Sequence, residues 1–217
     1  MGGLVEVHVL AGGQVEQAAA DAFTGDRLTI VVHRYEPGAD GVPADAWTSY
    51  TEALVEACSR AKDSGAKHLP WIILSGSLPD GVEETAWTPL MPRFRAAGVQ
   101  VAADLKGQAL MSSIGPDGPD LIRVDASHVG TLLHKKVLTD DDAVWAAGML
   151  DVGLNGRRVV VTGMFGVVLC DGDGTIHTQP PAGALDADAL TAALTMTLTG
   201  GIDAGMALML AVGAAKR

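Results

Sequence analysis

Four groups of residues have the types and spacings that do chemistry. The first is acidic. Ala182-Gly-Ala-Leu-Asp-Ala-Asp188 leads into an apolar helical segment, so Asp188 stands at a helix start, where a carboxylate can align a hydroxyl and take its proton. Read from their own neighbourhood, Asp186 and Asp188 are also what caps a helix. The second is the turn Gly163-Met-Phe-Gly166, preceded by Thr162 and set between two apolar runs. Its bare backbone can admit a ring or a ribose, although a hairpin needs glycine in any case. The third is Ser75-Gly76-Ser77 after the run Trp71–Leu74. Hydroxyls at a strand's carboxyl end sit where open α/β sheets bind ligands, and loop geometry is the plainer account. The fourth is Asp125 with His128, an i, i+3 pair on one helix face, suited to a divalent ion or acid–base work and equally to a surface contact. Lys106 follows the strand-terminal Asp104 and can meet a phosphate or lie in solvent.

The elements that must hold these residues alternate. Val5–Leu10 and Arg27–Val32 read as strands around an Ala-rich helix at Gln14–Phe23, and His33–Val42 as a loop. A helix starts at Pro43-Ala-Asp45 and runs to Lys62. Trp71–Gly76 is a short apolar run with the look of a central parallel strand. Val82–Ala97 reads as a helix interrupted near Pro89 and Pro92, Val99–Leu105 and Leu121–Asp125 as strands, and Ala126–Leu133 as a helix. Thr139 with Asp140, Asp141 and Asp142 caps a helix through Leu150. Arg158–Thr162 and Val167–Cys170 are strands, and two apolar helical segments follow. The expectation is an α/β fold of three layers, αβα, with a mostly parallel sheet, in one domain over residues 1–217. Met196, Met206 and Met209 lie at helical spacing and are expected in the core.

The 217 residues carry a net charge of −11 and are 48% hydrophobic, which reads as globular and argues against nucleic-acid and anionic-membrane surfaces. Cys58 and Cys170 are far apart with no metal-ligand spacing around them. The start has no signal-peptide pattern, and the apolar stretch Ala204–Ala215 is short for a membrane span and reads as a core helix. The expected location is the cytoplasm.

Ile73-Leu-Ser-Gly-Ser-Leu-Pro-Asp-Gly-Val82 resembles a signature of the ribokinase-like (PfkB) sugar kinases, in the 1-phosphofructokinase and tagatose-6-phosphate kinase branch. Other segments run in register with that family. Ala103–Leu110 resembles its Asp-Thr-Ser-Gly-x-Ala-Leu, and Val159–Gly166 its strand and Thr-x-Gly-x-x-Gly turn. Asp188-Ala-Leu-Thr-Ala-Ala-Leu resembles its catalytic acid and helix, and Tyr35–Trp47 the segment before its crossover helix. The resemblance implies ATP and Mg²⁺ as cofactors and a sugar phosphate or related small alcohol as substrate. It makes Asp188 the catalytic base and places nucleotide contacts at Thr162, Gly163, Gly166, Asp186 and Ala187. Substrate contacts fall at Ser75, Gly76, Ser77 and Lys106, and metal contacts at Asp125 and His128.

The departures from the family are specific. Its first strand, lid and Gly-Gly-Lys-Gly segment have no counterpart before Val5, so lid and first strands are expected to be missing and a homodimer is expected to cover the exposed edge. Lys-Pro-Asn-x-x-Glu reads Arg123-Val-Asp-Ala-Ser-His128, and Gly-Ala-Gly-Asp reads Leu185-Asp-Ala-Asp188. Three functions follow as alternatives: a PfkB-type phosphotransferase, an inactive descendant that binds a ligand or a partner, or an old cleft repurposed through Asp125, His128 and Asp188.

Overall fold

The computed structural model describes residues 30–31, 44–63, 71–76, 78, 81–181 and 183–216. The expected strand at Val5–Leu10, the helix at Gln14–Phe23, the loop at His33–Val42 and the substrate residue Ser77 lie outside the described residues. Of the strand expected at Arg27–Val32, Ile30–Val31 is described.

Among the described residues seven strands form one sheet: β1 (Ile30–Val31), β2 (Trp71–Gly76), β3 (Gln100–Leu105), β4 (Leu121–Asp125), β5 (Arg158–Gly163), β6 (Gly166–Cys170) and β7 (Ile176–Gln179). They stand side by side in the order of the sequence. β1 to β5 are parallel, and β6 and β7 return antiparallel. The helices are α1 (Ala44–Asp63), α2 (Met91–Ala96), α3 (Gly107–Ser113), α4 (Ala126–Leu132), α5 (Asp140–Gly153), α6 (Ala187–Thr199) and α7 (Ala204–Ala214).

Strand order decides which helix lies on which face. Crossovers of one hand that progress in one direction put every intervening helix on the same side of a sheet. The two cores show this division. Ile72, Leu74, Val101, Ile122, Val161 and Val168 pack with residues of α1 to α5. The alternate residues Trp71, Ile73, Ala102, Leu121, Val160 and Leu169 pack with α6 and α7. Three layers result, as the period-two alternation within the strands requires.

Two expectations are corrected, and two elements come without an expectation. The segment Val82–Ala97 is not one interrupted helix. It makes turns from Glu84, a 3₁₀ turn at Thr88–Leu90, and a helix only from Met91. Pro89 and Pro92 each lack the amide that a continuing helix would need, and each sits at a start instead. α3 and β7 carry too few apolar residues to announce themselves, yet α3 buries Ala109 and Leu110, and β7 pairs through its backbone with β6. The methionines divide: Met196 is buried at 8% exposure, whereas Met206 and Met209 are 49% and 46% exposed. α7 packs through Ala207, Leu208 and Ala211, the two alanines allowing close approach, and Met206, Met209 and Leu210 fall on its opposite side.

Candidate functional site

On the α6-facing side of the sheet, the apolar alternation of four strands ends in a polar residue. Ile73 is followed two residues later by Ser75, Ala102 by Asp104, Leu121 by Arg123, and Val160 by Thr162. Ser75 and Asp104 are register partners across β2 and β3. This polar row lies at the carboxyl ends of parallel strands, under the first turn of α6, where such sheets place ligands.

The row is cross-linked. Arg123 is 9% exposed and Asp104 4%. Arg123 donates from Nη1 to Asp104 Oδ1 at 3.0 Å and from Nη2 to the Thr162 hydroxyl at 2.7 Å. Thr191 of α6 donates to Asp104 Oδ2 at 3.4 Å. Burial pushes the Asp104 carboxyl up, and the Arg123 charge and hydrogen bond oppose it. The nearby charge of Asp188 adds to the rise, and Lys106 opposes it. Above the row, the Ser75 hydroxyl donates to Asp188 Oδ1 at 2.5 Å, joining the end of β2 to the start of α6.

The helix start itself is self-capped. One oxygen of Asp186 accepts from the amides of Asp188 and Ala189, each at 3.1 Å. The Asp186 amide donates to the Ala215 carbonyl at 2.8 Å, and Leu185 bridges to Lys216, so the end of α7 fixes the approach to α6. Among the described residues the amide of Ala187 meets no acceptor.

Beside this start lies a cavity of about 210 Å³, lined chiefly by Arg123, Asp125, Thr162, Gly163, Gly166 and Ala187. The Nε–H of Arg123 is buried without an acceptor among the described residues. The glycines have structural reasons of their own. Gly166 has φ +115°, and a Cβ on it would run into the Gln179 carbonyl, while a Cβ on Gly163 would strike the Phe165 ring.

The expected residues are thus distributed as follows. Asp186, Asp188 and Ala187 form the helix start, and Thr162, Gly163, Gly166 and Ala187 border the cavity, with the Thr162 hydroxyl taken by Arg123. Asp125 and His128 do meet, Nδ1 to Oδ2 at 3.3 Å, and Asp125 also accepts from Ser127 and faces Arg123 at 3.7 Å. No group of three or more His, Cys, Asp or Glu side chains converges on a metal position among the described residues. Ser75 meets Asp188 and not the cavity. Gly76 closes β2 at φ +84°. Lys106 is exposed, ahead of α3 and off the cavity lining. The parts that sequence reading left without a role are the Asp104–Arg123 pair and Thr191. Their signal was available: a charged residue in the apolar phase of a strand must find a partner in the neighbouring strand.

No family model matches the chain. It is similar to the ATP-dependent 6-phosphofructokinase isozyme 2 of Escherichia coli (strain K12), 26% identical over 185 residues, which cover 81% of this chain and 57% of that protein. It is also similar to the 1-phosphofructokinase of Rhodobacter capsulatus, 30% identical over 143 residues, covering 64% of this chain and 45% of that one. The chain therefore spans about half the length of the curated relatives it matches. Among solved structures it resembles phosphofructokinase-2 from Escherichia coli in complex with fructose-6-phosphate, with a TM-score of 0.70 at 17% identity over 96% of this chain and 86% of that one. At that identity the likeness shows the fold, which is ribokinase-like.

Proposed function

We propose, for a chain whose fold and sequence matches are consistent with the PfkB-type sugar kinases, a phosphotransferase that passes the terminal phosphoryl group of ATP to a hydroxyl of a sugar phosphate or a related small alcohol. The observation that carries this reading is the Ser75–Asp188 contact. It brings the one acid at the α6 start that does not cap the helix to the end of the strand bearing the Ser75–Gly81 motif. The relatives' names supply the substrate class, since both are phosphofructokinases.

In this reading Asp188 takes the proton of the acceptor hydroxyl, and Ser75 holds the carboxylate in one rotamer. Bound ATP with Mg²⁺ supplies the phosphoryl group and the charge neutralisation that its transfer needs. The residues present fit such a group at three points. Arg123 brings its charge to the cavity lining, Ala187 offers an amide, and Asp125 offers carboxylate oxygen to a hard cation. Asp104 holds Arg123 in place from beneath.

One observation favours a second reading, a non-catalytic relative that binds a ligand or a partner. The carboxylate of Asp186 sits on amides that an anion at the α6 start would use. Turnover decides between the two. The purified chain is assayed for ADP release with Mg²⁺–ATP and fructose 6-phosphate or fructose 1-phosphate, beside Asp188→Asn. We expect turnover in the parent and a loss of at least about 10²-fold in the variant with its circular dichroism unchanged. No transfer to any sugar phosphate by the parent would remove the phosphotransferase. The proposal includes a homodimer, for which the exposed apolar side of α7 offers surface. A single-chain mass in light scattering would remove that part. Among the described residues no helix is long and apolar enough to cross a membrane.

A further inference from the structure

A second and larger cavity, of about 370 Å³, lies along α4 and the segment that leads to α5, and it shares no lining residue with the one beside α6. Two lysines, an imidazole and two hydroxyls line it, from Lys135, Lys136, His134, Ser127 and Thr131. None of its lining residues is an acid, in a chain with 26 Asp and Glu and a net charge of −11. The acids that follow in sequence stand outside the lining. Asp142 is bound by Lys135 and Thr139, and Asp140 and Asp141 lie in the first turn of α5. The segment folds back closely on α4. The Lys135 amide donates to the Gly130 carbonyl at 3.1 Å, and a Cβ on Gly130 would come within 3.0 Å of the Lys135 carbonyl. His134 turns the chain at φ +50°, which a non-glycine residue adopts at a cost. Lys135 is held, with Nζ 3.0 Å from Asp142 Oδ1 and 4.2 Å over the Trp145 ring. Lys136 and His134 are exposed, and their side chains have no hydrogen-bond or ion-pair partner among the described residues. Leu138, 71% exposed, gives the cavity an apolar side.

We propose that this cavity binds a small organic oxyanion, a phosphomonoester or a polycarboxylate, with Lys136 and His134 as its donors and Leu138 beside its carbon body. Hydrogen bonds from a cationic donor to an anionic oxygen are the stronger kind, and a lysine left free at the wall of an acid-free cavity is the group such a ligand uses. Concavity, an apolar side and a few polar groups are what small-molecule sites have in common. A solvated lysine on open surface needs neither the close fold at Gly130 nor the turn at His134. The site lies outside the cleft of the proposed function and does not depend on phosphoryl transfer.

The test is titration of the full chain at low salt with glycerol 3-phosphate and, separately, with citrate, by calorimetry and by amide chemical shifts of the labelled protein. The same titrations are run on Lys136→Glu, a charge reversal at an exposed and unpaired side chain that leaves the fold intact, as unchanged circular dichroism would show. We expect one of the two probes to bind the parent with a Kd below about 1 mM. Which probe binds tells a phosphomonoester site from a polycarboxylate site. The largest shifts are expected at Gly130, Thr131 and Lys136, and Lys136→Glu is expected to bind at least tenfold more weakly. Three results overturn the inference. The first is that neither probe binds the parent at that level. The second is a loss of less than tenfold in Lys136→Glu. The third is a set of shifts centred on Gly163 and Gly166, which would put the anion in the cavity beside α6 instead.

Discussion

Replacing Arg123 by methionine tests whether the polar row is held by charge. Arg123 and Asp104 are both buried, with 3.0 Å between Nη1 and Oδ1. Arg123→Met keeps most of the side chain's length but leaves the Asp104 carboxylate without its cation. Breaking a buried ion pair from one side costs about 3–5 kcal/mol. Methionine restores part of the packing, so we expect about 3 kcal/mol at pH 7. A chain of this size loses about 2–4 °C per kcal/mol, which puts the fall in Tm at roughly 6–12 °C.

The sign of the pH dependence follows from Asp104. Burial raises its carboxyl above the usual value of 3.8, so between the unfolded and folded values the folded protein keeps a proton that the unfolded chain releases. The contribution of that group is fully present below its unfolded pKa and is lost as pH rises through the folded one. Arg123 is the main influence opposing the rise, and removing it lifts the folded pKa further. The deficit of Arg123→Met is therefore smaller at pH 4.5 than at pH 7. Adding Asp104→Asn removes the stranded charge and recovers most of the loss. Urea unfolding followed by circular dichroism at both pH values reads all three proteins. A deficit below about 1 kcal/mol at pH 7, or one equal at the two pH values, refutes the argument that this pair is electrostatically committed.

Gly166→Ala is expected to cost more than about 2 kcal/mol, because a side chain at φ +115° meets the Gln179 carbonyl and the Pro180 backbone, neither of which can step aside; equal urea midpoints would contradict this. Thr139→Ala removes the hydroxyl that accepts from the Asp142 amide and should cost about 1 kcal/mol by the same assay, with no change in any ligand titration. Burial pushes the Cys58 thiol up to about 12 and, as the largest of its influences, the Cys170 thiol up to about 11. Both should therefore resist a thiol reagent at pH 8 until urea unfolds the chain, and prompt labelling of the native protein would show that these side chains are not enclosed.

The parallel part of the sheet was legible because its strands are short, apolar and punctuated. Trp71–Gly76 and Leu121–Asp125 are found where periodicity puts them. The helix starts were legible where a cap announces them, as at Thr139 and Asp186. What stayed hidden depends on contacts between distant segments. Ile176-His-Thr-Gln179 has one apolar residue and becomes a strand only because β6 offers it a free edge. Met206 and Met209 share a helix with residues of the core, and sequence alone does not say which side α6 covers. Read from their own neighbourhood, the carboxylates at 186 and 188 could both cap the helix, and geometry separates them: one caps the helix, and the other faces Ser75. Asp104 and Arg123 lie 19 residues apart, and only the register of β3 with β4 makes them partners.

The division of helices between the two faces has a consequence for how the molecule is made. Among the described residues, α1 to α5 are interleaved with the strands and can dock as the sheet grows from the ribosome, whereas the two helices of the other face, α6 and α7, come after the strands. Until they arrive, the side bearing Trp71, Ile73, Leu121 and Leu169 is bare, and the Asp104–Arg123 pair stays open to water. At about 5–20 residues per second, the interval between finishing β7 and delivering α6 is on the order of seconds. A nascent chain in that interval presents a nearly complete parallel sheet with one greasy side, the kind of surface that chaperones hold. Asp188 reaches Ser75 only when that window closes.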